Sequence, residues 1–122
     1  MTKHAPILLL LSLIAGGLFA AKPSNAPERH SKSEYIACMS LARSDPEQGF
    51  EKASAWLGLG GGDAARHCAG VSLIGLKQYP EAAKRLESLA NMARSPAPVK
   101  ARILGQAGQA WLLADKPKRA AA

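Results

Sequence analysis

Residues 42–56, ARSDPEQGFEKASAW, and residues 75–89, GLKQYPEAAKRLESL, carry one pattern twice. Each leaves a helix end, turns around a proline, continues through an acidic residue and small residues, and enters an apolar-periodic run. The second copy is displaced from the first by the interval from Ala42 to Gly75, which sets Pro46 against Tyr79, Glu47 against Pro80, Gly49 against Ala82, Ala53 against Leu86 and Trp56 against Leu89. A single helix pair cannot bury its apolar face alone, so a repeat of this length points to helical hairpins that stack on one another. Such a chain is built to hold another molecule rather than to transform one.

Outward from that pair, Ala, Leu, Lys, Arg, Glu and Gln dominate after Ser33, β-branched residues are rare, and apolar and polar residues do not alternate over any sustained run, which marks helix. Ser33 reads as the cap of a first helix over residues 34–42 that buries Tyr35, Cys38, Met39, Leu41 and Ala42. Asp45 and Pro46 suit the cap and first position of a second helix reaching Leu57. The glycines between 58 and 62 end it, and Asp63 is placed to cap a third helix from Ala64 to Leu76. Within that helix Gly70 costs up to about 1 kcal/mol relative to alanine, which the close approach of a neighbouring helix backbone would explain. A fourth helix runs from Pro80 to Met92, a prolyl linker covers 94–98, a fifth helix spans Val99 to Ala114, and a sixth opens at Lys118.

These residues resemble the tetratricopeptide repeat family. In the clearest unit Gly70 and Leu73 match the family's small and large residues of the first helix, Tyr79 its turn tyrosine, and Ala82 and Leu86 the small and large residues of the second helix. Ala107, Gly108, Trp111, Pro117 and Ala120 match in the same order in the last unit, and the interval from Gly70 to Gly108 equals that from Ala82 to Ala120. In the first unit Ala37, Pro46, Gly49 and Ala53 fit, while Ser40 and Pro46 stand where a large residue and a tyrosine belong. The resemblance implies an all-α fold, a short α-α superhelix or solenoid with repeats at about 34–62, 63–96 and 97–122, the last incomplete. A non-repeating helical bundle is the competing architecture. A missing final helix would leave the face of Ile103, Ala107, Trp111 and Leu112 open, although an aromatic at helical spacing is more often core.

The amino terminus has a different character. After Lys3, residues 6–19 (PILLLLSLIAGGLF) carry no charge and lead into Ala20 and Ala21. A membrane-crossing helix needs roughly 20 apolar residues, so this layout is read as a secretory signal over 1–21, followed by a flexible prolyl leader over 22–33. The expected location is periplasmic or secreted, with no stable membrane insertion after signal cleavage. Without Lys3 the chain keeps 15 Lys and Arg against 9 Asp and Glu, a net of +6. That charge is dispersed and the chain has few aromatics, which argues against a nucleic-acid partner and suits anionic protein or lipid surfaces.

Two cysteines in an exported chain suggest a bridge. Cys38 and Cys68 fall in the first helices of adjacent repeats, where they form either a disulfide or a pair of buried thiols. A metal site would need three or four ligands at recognisable spacing, so no metal or cofactor is expected. His67 beside Cys68 invites a nucleophile and base, but neighbours one apart point about 100° away from each other on a helix. His67 is instead read as a partly exposed helical side chain, and no catalytic residue is assigned. Gly58–Gly62 lacks the lysine of a phosphate loop and follows a helix.

The expected function is an extracytoplasmic adaptor. In the tetratricopeptide family the concave face of the first helices supplies the binding groove, and Arg43, Arg66, His67, Lys100 and Arg102 are the candidates there, favouring an acidic protein or peptide. The alternatives are an assembly subunit that self-associates with another copy through its unfinished end and, less favoured, a small secreted enzyme.

Overall fold

The computed structural model describes Gly17 and residues 26–121. Apart from Gly17, the expected signal over 1–21 lies outside the described residues, as do residues 22–25 of the expected leader. The described chain is all-helical: α1 (Ala26–Ser44), α2 (Pro46–Gly58), α3 (Gly62–Gly75), α4 (Tyr79–Met92), α5 (Ala97–Leu113) and α6 (Pro117–Ala120). None of these helices is long and apolar enough to cross a membrane.

Two boundaries depart from expectation. Helix α1 begins at Ala26, so residues 26–33 are helical rather than a flexible leader and Ser33 lies inside the helix instead of capping it. Pro27 is tolerated in a first turn, where its missing N–H has no intrahelical partner to lose, and no helix breaker follows it until Pro46. Helix α3 begins at Gly62, with no side-chain cap. Asp63 therefore sits in the first turn, where its carboxylate accepts from Arg66 at 3.2 Å. At α2 the expected cap forms, the Asp45 carboxylate accepting from the Gln48 N–H at 3.2 Å.

Three helices end in the same turn. After α2, α3 and α5 a backbone N–H bonds the carbonyl five positions back, Gly61 to Trp56, Gln78 to Leu73 and Lys116 to Trp111, at 2.8–2.9 Å. The residue before each donor takes positive φ: Gly60 at 89°, Lys77 at 60° and Asp115 at 61°. This arrangement satisfies carbonyls that the helix end would leave unpaired. The interval from Lys77 to Asp115 is the same as that from Gly70 to Gly108.

Each helix packs on its neighbours in sequence, and the odd-numbered helices also meet, α1 with α3 and α3 with α5. The pairs α1/α2 and α3/α4 thus form two consecutive hairpins. Their seam is continuous. Cys38, Met39, Ala42, Ala53, Cys68 and Ala69 make one buried cluster, and Leu86, Leu89, Ala90, Ile103 and Ala107 belong to another. Between them lies a third, with Leu73, Ala82, Ala83 and Trp111, which Phe50 and Ile74 tie to its neighbours.

Small residues allow this packing. A Cβ at Gly49 would stand 2.7 Å from the Ala42 nitrogen, 2.8 Å from its Cα and 2.8 Å from the Ser72 Oγ, so α2 meets α1 and α3 at a point with no room for a side chain. At Gly70 the obstacle is a side chain rather than the expected backbone: a Cβ there would lie 2.6 Å from a Leu86 methyl. Leu86 is fully buried and fills the space that the glycine leaves.

The carboxy-terminal face is not open as expected. Ile103, Ala107 and Trp111 are buried, because they lie on the side of α5 that packs against α4 and α6. The Trp111 indole N–H donates to the Glu87 carboxylate, and the Arg119 guanidinium lies 4.8 Å from the centre of the indole ring. Of the expected open face only Leu112 is exposed, at 60%, alongside Leu104 and Leu113.

Gly49→Ala is therefore expected to lower stability by about 2–3 kcal/mol, since the clash is with backbone and cannot be relieved by a rotamer change. Gly105→Ala, in α5 with nothing within 4 Å of the new methyl, should raise it by about 0.5–1 kcal/mol. Urea midpoints of the two variants against the parent chain check both signs.

Candidate functional site

The odd-numbered helices share a surface. Tyr35, Ile36, Met39, Ser40, Arg43 and Ser44 from α1, His67 from α3, and Arg102 and Gln106 from α5 line a groove of about 620 Å³. In α1, Tyr35, Met39 and Arg43 follow each other at intervals of four, as do Arg102 and Gln106 in α5, so one face of each helix borders the groove.

A chain of hydrogen bonds crosses it. The Tyr35 hydroxyl stands 2.8 Å from His67 Nδ1, and His67 Nε2 stands 2.5 Å from Gln106 Oε1. Because Oε1 only accepts, the imidazole proton belongs on Nε2, which leaves Nδ1 to accept from the Tyr35 O–H. The Tyr35 and His67 rings also stack, 5.8 Å between centres. One neutral histidine thus links α1, α3 and α5 with both of its ring nitrogens engaged.

The electrostatics favour that neutral form. Burial lowers the His67 pKa below 6.5, the hydrogen bond to Gln106 opposes this, and the Arg102 charge lowers it further. Burial also raises the Tyr35 pKa above 10.0, against the pull of Arg102 and Arg43. His67 is 6% exposed, so it is a core residue of the groove floor and not the partly exposed side chain expected from sequence.

Only part of the expected cationic set meets here. Arg43 and Arg102 border the groove and are exposed, and neither forms an ion pair among the described residues. Arg66 does not join them. One residue before His67, it is turned about 100° around α3 and lies beside α4, paired with Asp63 at 3.2 Å. Lys100 is half-buried on α5 and is not part of the groove lining. Tyr35, Ile36, Met39, Ser40, Ser44 and Gln106 complete the lining with His67. The four-residue spacing of Tyr35 and Gln106 to Met39 and Arg102 was the available signal for them, although sequence alone assigned Tyr35 and Met39 to a buried face.

Among the described residues no carboxylate lines this groove. A smaller hollow of about 290 Å³ adjoins it between α3 and α5, shares Tyr35, His67 and Arg102, and contains Asp63, whose charge Arg66 already meets. Two guanidiniums, an exposed isoleucine at 58% and a phenol thus face solvent across a common hollow. Chemically this can hold an anionic group beside an apolar one.

Beneath the groove, the sulfurs of Cys38 and Cys68 stand at disulfide distance, with Cα atoms 6.1 Å apart. The pair ties α1 to α3, the two helices that supply Tyr35 and His67. A bridged Cys68 carries no thiolate, so the adjacent His67 has no nucleophile there to activate. Among the described residues no group of three His, Cys, Asp or Glu is placed to hold a metal ion.

Comparison with protein-family models, with curated proteins and with solved structures finds no match for this chain.

Two outcomes follow for the groove floor. Since the folded pKa of His67 lies below its unfolded value, unfolding takes up a proton once the pH falls below about 6.5. Stability should be complete above that pH and decline as pH falls toward the folded pKa, and His67→Asn should flatten this decline in urea titrations across the acid range. The bridge closes a span of 30 residues and should contribute about 2–4 kcal/mol. Cys38→Ala with Cys68→Ala should lower the urea midpoint accordingly, and reductant should leave the variant unchanged while shifting the parent.

Proposed function

We propose that this chain is an extracytoplasmic scaffold of tetratricopeptide-like hairpins that binds an acidic segment of a protein or peptide across α1, α3 and α5. The observation that carries this reading is the placement of Arg43 and Arg102 around Tyr35 in a groove that no carboxylate lines among the described residues. Such a surface attracts an anion electrostatically and offers Ile36 and Met39 for apolar contact, which gives orientation as well as attraction. The like turns at Lys77 and Asp115, set at the same interval as Gly70 and Gly108, support successive units of one repeat. The apolar run at residues 6–19 and the bonded geometry of Cys38 and Cys68 support export.

Catalysis is not part of this reading. The only histidine among the lining residues spends both nitrogens on structural hydrogen bonds. A self-associating assembly subunit remains the second reading, now resting on exposed Leu104, Leu112 and Leu113 of α5 rather than on Trp111. Sedimentation of the oxidised protein separates the two, since a scaffold for foreign peptides sediments as a monomer.

The test of the groove is fluorescence anisotropy with a labelled peptide that mixes Asp and Glu with aliphatic residues. Arg43→Glu and Arg102→Glu should each weaken binding about tenfold, equivalent to ~1.4 kcal/mol, and binding should fall with added salt. Equal affinity for the double variant and the parent would remove the groove from the reading. Arg66→Glu serves as the matched control on another side of α3.

A further inference from the structure

A second hollow lies away from the groove, where α2 and α4 leave space over α3. Helices α2 and α4 make no close backbone approach, and the gap of about 330 Å³ is lined by Leu57, Arg66, Ala69, Lys84, Arg85, Ser88, Leu89 and Met92. Its floor is hydrocarbon: Ala69 is 5% and Leu89 2% exposed. Leu57 and Met92 form its walls at 38% and 70% exposure, unusual for large apolar side chains at adjoining positions. Methionine is unbranched and adapts its shape to what it contacts.

The rim of the hollow is positive. Arg66 and Arg85 are held by half-exposed partners, Asp63 at 3.2 Å and Glu81 at 2.8 Å. Lys84 forms no ion pair among the described residues and leaves one surplus positive charge beside the apolar floor. Among the described residues no carboxylate belongs to the lining.

We infer that this hollow binds a single-chain anionic amphiphile, its acyl chain against Leu57, Ala69, Leu89 and Met92 and its carboxylate or phosphate head at Lys84, with Arg66 and Arg85 beside it. The volume falls at the small end of ligand pockets, about 300–1,000 Å³, and suits one chain rather than two. An extended peptide fits less well. The lining residues lie beyond the first turns of their helices, so their backbone N–H groups are bonded within those helices, and among the described residues Ser88 is the only neutral polar side chain in the lining, so a buried peptide would leave amide groups without partners. An acyl chain has no such groups, and covering Leu57 and Met92 removes apolar surface from water.

This site is independent of the acidic-peptide groove, and its lining includes neither Arg43 nor Arg102. Isothermal titration of the oxidised chain with dodecyl phosphate, kept below its micelle concentration, should show saturable one-to-one binding, with amide shifts in NMR spectra centred on Ala69, Leu89 and Met92. Lys84→Glu and Met92→Glu, both at exposed positions, should each weaken it tenfold or more while circular dichroism stays unchanged. Met92→Leu should retain binding, and Arg102→Glu should leave it unaltered. Dodecyltrimethylammonium, with the same chain and opposite charge, should bind at least tenfold more weakly than dodecyl phosphate. Absence of saturation, equal affinity in the two glutamate variants, equal binding of the cationic detergent, or binding confined to phosphatidylglycerol vesicles or to the acidic peptide would each overturn the assignment.

Discussion

The contact at Gly49 governs how the first three helices meet. With no Cβ, α2 lies directly against the backbone of α1 at Ala42 and against Ser72 of α3. That approach brings Cys38 and Cys68 into one buried cluster with Ala42, Ala53 and Ala69. A larger residue at 49 would push α2 away from both partners, and the relation between α1 and α3 would change with it. Close packing of this kind transmits a change of even one methyl group, because protein interiors contain little free volume.

The groove depends on that relation. Tyr35 reaches His67 only because α1 and α3 are held side by side, and His67 reaches Gln106 because α5 lies on the other flank of α3. The hydrogen-bonded chain gives a buried histidine partners on both sides, which removes the cost of hiding two polar nitrogens. Burial, aided by the Arg102 charge and opposed by the Gln106 hydrogen bond, favours the neutral imidazole. The positive potential at the groove therefore comes from Arg43 and Arg102, with His67 as a positioning element beneath them.

The two hollows lie on different sides of α3 and differ in chemistry. The groove joins guanidiniums to a phenol and a buried imidazole, while the gap between α2 and α4 is floored by hydrocarbon with cations only at its rim. Arg66 and His67 are adjacent in sequence and serve different surfaces, since one residue of helix turns the side chain through about 100°. The charge spread along this chain is thereby sorted by helical phase into separate surfaces.

Much of the architecture was legible from residue order. Asp45 with Pro46 marks a helix start by local chemistry, and the apolar period marks the face of α4 that carries Ala83, Leu86, Leu89 and Ala90, so all-helical structure and the burial of that face needed no long-range information. Local rules were weaker at ends. Nothing between Pro27 and Ser33 forbids helix, and Lys77 and Asp115 adopt positive φ although neither is glycine or asparagine. Tertiary structure alone decided that Glu87 and Arg119 engage Trp111, that His67 is buried, and that Arg66 leaves the set formed by Arg43 and Arg102. Periodicity specifies what a helix buries, but the way helices meet specifies which of its remaining residues share a surface, and that is set by close contacts such as Gly49 with Ala42 and Gly70 with Leu86, whose partners residue order does not name.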